Sequence, residues 1–238
     1  MKKTLALACL MALTSPAGAK LRVPPPVRVE RVDVQDTIGP INFSKVSNRI
    51  ARGSQVGWLR EGILCLGGEP LTWNGRSHVV DPRDLEEAFR NELQDLGYDI
   101  VGASGGLFDR EQDSEAAYLV GATIRNMEIE ACLPYLPSND ISTAKGAVVF
   151  EIEWQIYSRD RQRVIDKITT RAGYERKKGR EGGVQSLVRE AFAENVRRLA
   201  ASGKLERAGD LPVGKDDDLR IRSPAGEGEE AAVGDTGW

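Results

Sequence analysis

The sequence predicts an α+β domain in which an antiparallel sheet of about four to five strands packs with two amphipathic helices. One observation is the strict alternation of apolar and polar residues over 148–156, the period of a strand with one wet face. The other is a pair of segments, 81–97 and 182–202, whose apolar residues recur at three- and four-residue spacing. Each of these helices has one apolar side that a sheet can cover.

Residues 1–19 predict a removable signal peptide. Lys2 and Lys3 provide a positive start, residues 5–13 form an apolar run, and the small residues Ala17 and Ala19 precede a cleavage site after Ala19. The apolar run is shorter than the about 20 residues needed to cross a bilayer, and no other segment comes near that length. We therefore expect a periplasmic or secreted protein without a transmembrane segment in its mature chain.

The N-terminus has two other interpretations. A buried N-terminal helix is disfavoured because Pro16 and Gly18 break it and nothing caps it. Lipidation at Cys9 is suggested by the residues that precede it, which resemble a lipobox. Only about four apolar residues would then precede the cysteine, fewer than the 7 to 15 of a usual apolar core.

Composition limits the partners of the mature chain. Removal of Lys2 and Lys3 changes the formal net charge from -3 to -5, and a mildly acidic protein is not expected to bind nucleic acid. Two cysteines remain after processing, Cys65 and Cys132. In an oxidising compartment an isolated pair favours a disulfide, so we predict that they are bonded.

The first part of the mature chain, residues 20–49, predicts a proline-containing leader followed by an irregular strand. Pro24, Pro25 and Pro26 cannot donate ladder hydrogen bonds and favour an extended spacer. Valines interleaved with charged residues over 27–34 indicate a half-exposed strand whose alternation slips once. A further apolar stretch, 56–66, predicts a strand that Gly57 and Gly62 interrupt.

The central elements follow from capping and periodicity. Asp81 and Pro82 begin the first helix, as an N-cap acceptor and a first-turn proline, and Gly97 ends it. A short strand over 98–102 follows. The long strand over 117–132 changes its inward parity midway, which predicts a bulge near Asn126.

The remaining domain consists of a hairpin and the closing helix. The regular strand 148–156 turns through 158–162 into its partner at 163–173, and Gly182 and Gly183 precede the second helix. We expect the α+β domain to span 50–205. Residues 206–238 are acidic and poor in apolar side chains, which predicts a disordered tail.

No motif in the sequence specifies a reaction. The chain has one histidine, His78, and no spacing typical of a metal site, so no metal and no cofactor are predicted. Ser77, His78 and Asp81 are too close in sequence to converge as a relay, and Asp81 is better explained as a helix cap. The glycine-rich segment 102–106 lacks the lysine and the helix of a phosphate loop. The sequence therefore predicts no catalytic residue.

Two charged sets are candidate surfaces. Five basic residues form a possible binding loop for an anionic envelope component or for the acidic tail: Arg171, Arg176, Lys177, Lys178 and Arg180. Four carboxylates alternate on two strands that are expected to pair, where they would be an acid/base or cation site or a solvated face: Glu128, Glu130, Glu151 and Glu153. Trp58, Trp73 and Trp154 are expected in the core or at its rim, although two exposed tryptophans would form a sugar-stacking platform.

A set of spaced glycine, apolar and aromatic positions resembles a known arrangement: Gly57, Trp58, Gly62, Cys65, Phe89, Leu93, Gly97, Tyr98, Leu119, Val120, Gly121 and Trp154. Over about residues 50 to 202 it resembles the small α+β domain of bacterial envelope accessory proteins. It is also similar to the non-catalytic segment before the protease domain of some exported trypsin-like proteins. The resemblance implies an assembly, adaptor or regulatory module, and it carries over no functional residue.

The sequence thus predicts a non-enzymatic exported domain of the cell envelope that binds a protein or an anionic envelope component. The alternative is a hydrolase that acts on an envelope polymer through carboxylates on the sheet face. Carboxylates clustered at the floor of a cleft would favour the hydrolase, and a flat surface with an exposed sheet edge would favour the binding domain.

Overall fold

One six-stranded sheet and two helices organise the chain in the computed structural model, which describes residues 21–75, 80–102, 116–134, 143–180 and 182–206. The predicted signal peptide, most of the predicted acidic tail, and His78 with Ser77 lie outside these residues. The elements are β1 Ile41–Asn48, β2 Gln55–Glu61, β3 Glu69–Thr72, α1 Pro82–Asp95, β4 Tyr118–Leu133, β5 Ala144–Ser158, β6 Arg163–Arg180 and α2 Gly183–Ala201, with a short 3-10 helix at Val34–Asp36.

The sheet is mixed, which corrects the predicted antiparallel sheet of four to five strands. Its order is β3-β2-β4-β5-β6, and β1 also pairs with β4. β1 runs parallel to the first half of β4 and β2 runs parallel to its second half, whereas β4, β5 and β6 are antiparallel. Parallel neighbours need a crossover connection, and α1 lies in the chain that joins β3 to β4.

The antiparallel part confirms the predictions from alternation. The register of β4 against β5 shifts between Ile124 and Asn126, which is the predicted bulge. Phe150, Ile152 and Trp154 on β5 are fully buried. The hairpin partner β6 is also present, and it is longer than predicted because it continues through Arg180.

Both helices were predicted correctly. The Asp81 side chain accepts a hydrogen bond from the backbone N–H of Arg83, as expected of an N-cap. α1 and α2 pack against each other, and the guanidinium of Arg197 on α2 binds both carboxylate oxygens of Glu92 on α1, at 2.6 and 2.8 Å. A planar fork on a carboxylate fixes the relative orientation of the two helices.

The core lies between one face of the sheet and the helices. The Trp154 ring is 6.0 Å from that of Phe89 on α1 and 5.6 Å from that of Phe192 on α2, measured between centroids. Trp154 Nε1 donates to Thr170 Oγ1 at 2.8 Å, and this hydroxyl donates to Asn195 Oδ1 at 2.9 Å. The indole N–H of Trp154 and the hydroxyl of Thr170 are therefore paired within the core, between the sheet and α2.

The N-terminal predictions need two corrections. Residues 27–34 form no strand; the chain instead enters the sheet at β1, where Ile41 and Phe43 are buried. The predicted strand over 98–102 is reduced to one parallel bridge between Ile41 and Ile100. Alternation of apolar and polar residues over a short segment indicates that one side of the segment is partly buried. It does not show that the segment pairs with a neighbouring strand.

The described chain remains anchored through Glu206. Leu205 is fully buried, and its carbonyl accepts a hydrogen bond from the N–H of Ile38 at 3.0 Å. Tyr98 donates its hydroxyl to Glu206 Oε1 at 2.9 Å, and burial together with this carboxylate raises the pKa of Tyr98. The C-terminal end of the fold is thus held against the segment before β1 and the residues after α1.

We expect Gly57→Ala to lower the free energy of unfolding by more than the about 1–3 kcal/mol of backbone strain alone, because the added Cβ would also collide with the neighbouring strand. Gly57 has φ 151°, and an added Cβ would overlap the backbone of Ile129 on β4. Denaturant unfolding of the variant checks the result. Gly53→Ala is the matched control, since Gly53 also has a positive φ but nothing lies near its Cβ position. Equal losses of unfolding free energy in the two variants would contradict the expected effect of close contact between Gly57 and β4.

Candidate functional site

A disulfide bond marks one end of the sheet. Cys65, between β2 and β3, is bonded to Cys132 on β4, with 5.8 Å between their Cα atoms, which confirms the predicted pair. β2 and β4 end here, β5 begins here and β6 ends here, as shown by the pairings Glu61 with Leu133 and Ala144 with Arg180. We call this end of the sheet the disulfide end.

The turn that carries Cys65 exposes three aliphatic side chains. Gly62 N donates to Leu133 O at 2.9 Å, and Cys65 N donates to Gly62 O at 3.0 Å, so the turn is fixed at both ends. Ile63, Leu64 and Leu66 are 80%, 75% and 78% exposed. We call residues 62–66 the apolar turn. It corrects the predicted strand over 56–66, because β2 ends at Glu61 and the aliphatic residues that follow it face solvent.

A cavity of about 310 Å³ opens beside the disulfide. Four cationic side chains and two carboxylates contribute to its wall, together with Ala131 and Cys132 of β4 and Gly146 of β5. The charged residues are Arg60, Lys145, Arg176, Lys177, Glu130 and Glu175. Cations therefore exceed carboxylates around this cavity, although the whole chain carries a formal net charge of -3.

Contacts position two of the four cations. Arg60 Nη2 lies 3.6 Å from Glu130 Oε2. Arg176 Nη1 donates to Ser186 Oγ on α2 at 2.9 Å, and its guanidinium carbon is 5.8 Å from the Tyr174 ring centroid. Lys145 and Lys177 have no ion pair with any residue that the structure describes.

The predicted basic set is partly brought together at this site. Its residues lie on β6 rather than in a loop, which corrects that part of the prediction. Arg176 and Lys177 line the cavity and Lys178 is exposed, whereas Arg171 pairs with Glu128 at 3.0 Å on the sheet face. The Arg180 side chain lies outside the described part. Arg60 and Lys145 were missed because only strand pairing places them beside β6.

The four predicted carboxylates share the face of the sheet away from the helices, as the register of β4 with β5 shows. Arginines lie among them: Glu128 pairs with Arg171, Glu130 with Arg60, and Glu153 with Arg125. The hydrogen bond from Arg125 lowers the pKa of Glu153, and one from Gln155 adds to it. On this face opposite charges therefore alternate, and Glu130 also lines the cavity.

The remaining predictions concern the tryptophans, a metal site, a membrane-spanning helix and the glycine-rich segment. Trp154 and Trp73 are buried and Trp58 is 40% exposed, so these three tryptophans do not form a pair of exposed rings. No group of three metal-ligating side chains occurs among the described residues. In the same ranges no helix is long and apolar enough to cross a membrane. The glycine-rich segment after Gly102 lies outside them.

Comparison with known proteins gives no family. No family model matches the chain, and no curated protein matches it. Among solved structures, a DUF330 protein of Xanthomonas campestris has 16% identity and a TM-score of 0.41, covering 76% of this chain and 92% of that one. The PelC dodecamer of Paraburkholderia phytofirmans has 11% identity and a TM-score of 0.32, covering 73% and 96%.

A minor lipoprotein of Acinetobacter baumannii is similar at 10% identity and a TM-score of 0.30, covering 70% of this chain and 94% of that one. The similar structures thus include lipoproteins, and a likeness to the segment that precedes trypsin-like protease domains is not shown. Similarities at this level assign neither family nor function.

Proposed function

We propose that this chain is a non-enzymatic, exported binding or accessory domain of the bacterial cell envelope that binds an anionic envelope component at the disulfide end. The observation that carries the proposal is the cavity of about 310 Å³ with four cationic side chains in its wall. Three strands, β2, β5 and β6, supply these cations, and the disulfide fastens the neighbouring turn to β4.

The cavity suits an anion for a simple electrostatic reason. Arg176 is held by Ser186, so its planar guanidinium is oriented before a ligand arrives. Lys145 and Lys177 lack ion pairs among the described residues, so no ion pair with a described carboxylate has to break when an anion binds them. Such a site attracts phosphate or carboxylate groups, and salt weakens the attraction where the charges are exposed.

We expect Lys145→Gln with Lys177→Gln to weaken binding to an immobilised anionic polysaccharide, dextran sulfate, by about tenfold or more, because each cation near an anionic surface contributes about 1 kcal/mol. Retention on dextran sulfate and on neutral dextran measures the effect. Raising the salt concentration from about 0.01 to 0.15 M shortens the screening length from about 30 to 8 Å. The higher salt should weaken retention of the parent more than retention of the double variant.

A matched control removes two charges elsewhere. Lys45 and Arg49 are exposed on and just after β1, and Lys45 aligns with Gly121 of β4. That position is about 30 Å along the strand from Ala131 at the cavity. Lys45→Gln with Arg49→Gln should therefore leave retention near that of the parent. Equal loss in both double variants, or no retention of the parent, would contradict the proposal.

The hydrolase alternative has one observation in its favour, since Glu130 and Glu175 both line the cavity. Glu130 is paired with Arg60, and the cationic side chains outnumber the two carboxylates, so the surroundings favour an anionic ligand over acid/base work. The discriminating experiment is turnover of an isolated envelope polymer by the parent and by Glu130→Gln. Turnover that this substitution abolishes, with folding unchanged, would make the protein an enzyme.

A further inference from the structure

We propose that the apolar turn inserts into a lipid bilayer with anionic headgroups, while the cations of the adjacent cavity bind those headgroups. This inference rests on the proposed function, because it names the anionic component as a membrane surface. It adds a second contact, made by Ile63, Leu64 and Leu66, that an anionic site alone does not need. The membrane contact would then combine an apolar anchor with a basic flank.

The exposure of the apolar turn is the first argument. Large aliphatic side chains are the residues most often buried, and here three of them within four positions are 75–80% exposed. The central positions of a tight turn ordinarily carry Gly, Asn, Asp, Ser or Pro. Isoleucine and leucine at 63 and 64 therefore break the local rule for turns, which is expected where a segment contacts something outside the fold.

The turn is also held in place before any contact. Its carbonyl and amide at Gly62 are bonded to Cys65 and Leu133, and the disulfide joins its last residues to β4. Cys65 adopts φ 53°, a left-handed conformation that is unfavourable for a residue other than glycine. A pinned turn presents its side chains without the ordering cost that a flexible loop would incur on binding.

The cavity beside the turn has more cations than carboxylates in its wall, as binding to an anionic membrane requires. Arg60 leads from β2 into the turn, and Lys145 aligns with Cys132, the bonded cysteine. Strands lie about 4.8 Å apart, so Arg176 and Lys177 on β6 are about 15 Å from β2 across the sheet. Among the residues that the structure describes, the carboxylates in this region are Glu61, Glu69, Glu130 and Glu175, and of these Glu130 and Glu175 line the cavity.

The apolar turn projects rather than forms a groove, which favours a bilayer over a soluble polymer. A charged polymer offers the cations a partner but gives aliphatic side chains no apolar medium to enter. A bilayer offers both, with headgroups at the level of the lysines and acyl chains beyond them. A protein partner with an apolar pocket is the alternative occupant, and a test of vesicle binding distinguishes it from a bilayer.

The test is co-sedimentation of the exported, disulfide-bonded protein with vesicles of phosphatidylglycerol and phosphatidylcholine, and with vesicles of phosphatidylcholine alone. We expect binding to the anionic vesicles only. The substitutions Ile63→Ser, Leu64→Ser and Leu66→Ser together should weaken that binding at least about tenfold. They remove the apolar surface that the bilayer would bury. The same variant should be retained on dextran sulfate as the parent is. All variants carry the same N-terminus, so differences between them report on the turn.

Insertion has its own readout and control. In Leu64→Trp, brominated acyl chains should quench the added tryptophan fluorescence, whereas Val34→Trp, another exposed aliphatic position distant in sequence, should show no added quenching. Retention on dextran sulfate without any vesicle binding would overturn this inference and leave the proposed function intact; it would point to a protein partner. Unchanged vesicle binding by the triple serine variant would also overturn it. If the parent binds neither dextran sulfate nor vesicles, both proposals are overturned.

Discussion

Trp154→Ala is expected to lower the free energy of unfolding by about 3–5 kcal/mol. The side chain is fully buried between the sheet and both helices, and it contacts the rings of Phe89 and Phe192. Its removal also takes the indole N–H from Thr170 Oγ1, at the start of the hydrogen-bonded chain to Asn195. Denaturant unfolding followed by circular dichroism measures the loss.

Trp154→Phe is the matched control, because it keeps most of the apolar volume and removes only the indole N–H. It should cost clearly less than the alanine substitution. A parent-like unfolding midpoint for Trp154→Ala would mean that the assigned register of β5 is wrong, since a shift of one residue would turn this side chain to the opposite face.

Removing the disulfide with Cys65→Ala and Cys132→Ala should lower the free energy of unfolding by about 4 kcal/mol on the chain-entropy account. The bond closes a long loop, with a sequence separation of 67, that contains α1 and most of β4. Denaturant unfolding under non-reducing conditions measures the change. Intact mass of the parent should show no free thiol at either position.

The control is reduction of the parent itself, which should produce a loss similar to that of the double substitution. The substitutions should also weaken vesicle binding, because the apolar turn is then no longer fastened to β4. Two free thiols in the folded parent, or equal stability with and without the bond, would contradict this part of the account.

Much of the fold was predictable from residues whose local chemistry agrees with their final position. Asp81 and Pro82 begin α1 because an N-cap acceptor and a first-turn proline suit only a helix start. Phe150, Ile152 and Trp154 face the core because the alternation of β5 has one buried side. The bulge near Asn126 followed from the parity change along β4.

Strand direction and the site were not predictable in the same way. Alternation identifies the buried side of a strand but not which strand lies next to it. The sequence therefore did not indicate the parallel pairing of β1 and β2 with β4. The aliphatic residues at 63, 64 and 66 suggested continuation of a strand because apolar runs are normally buried. Arg60, Lys145 and Arg176 meet only through the register of three strand pairs.

Binding of an anionic envelope component at the disulfide end can be tested by photo-crosslinking in cells that export the protein. A photoreactive residue replaces Lys177 beside the cavity in one strain and Lys45 on β1 in another. Mass spectrometry of the adducts identifies the crosslinked molecules. We expect adducts that carry phosphate or carboxylate groups at position 177 and few adducts at position 45. Equal adducts at both positions, or only uncharged molecules captured at 177, would contradict it.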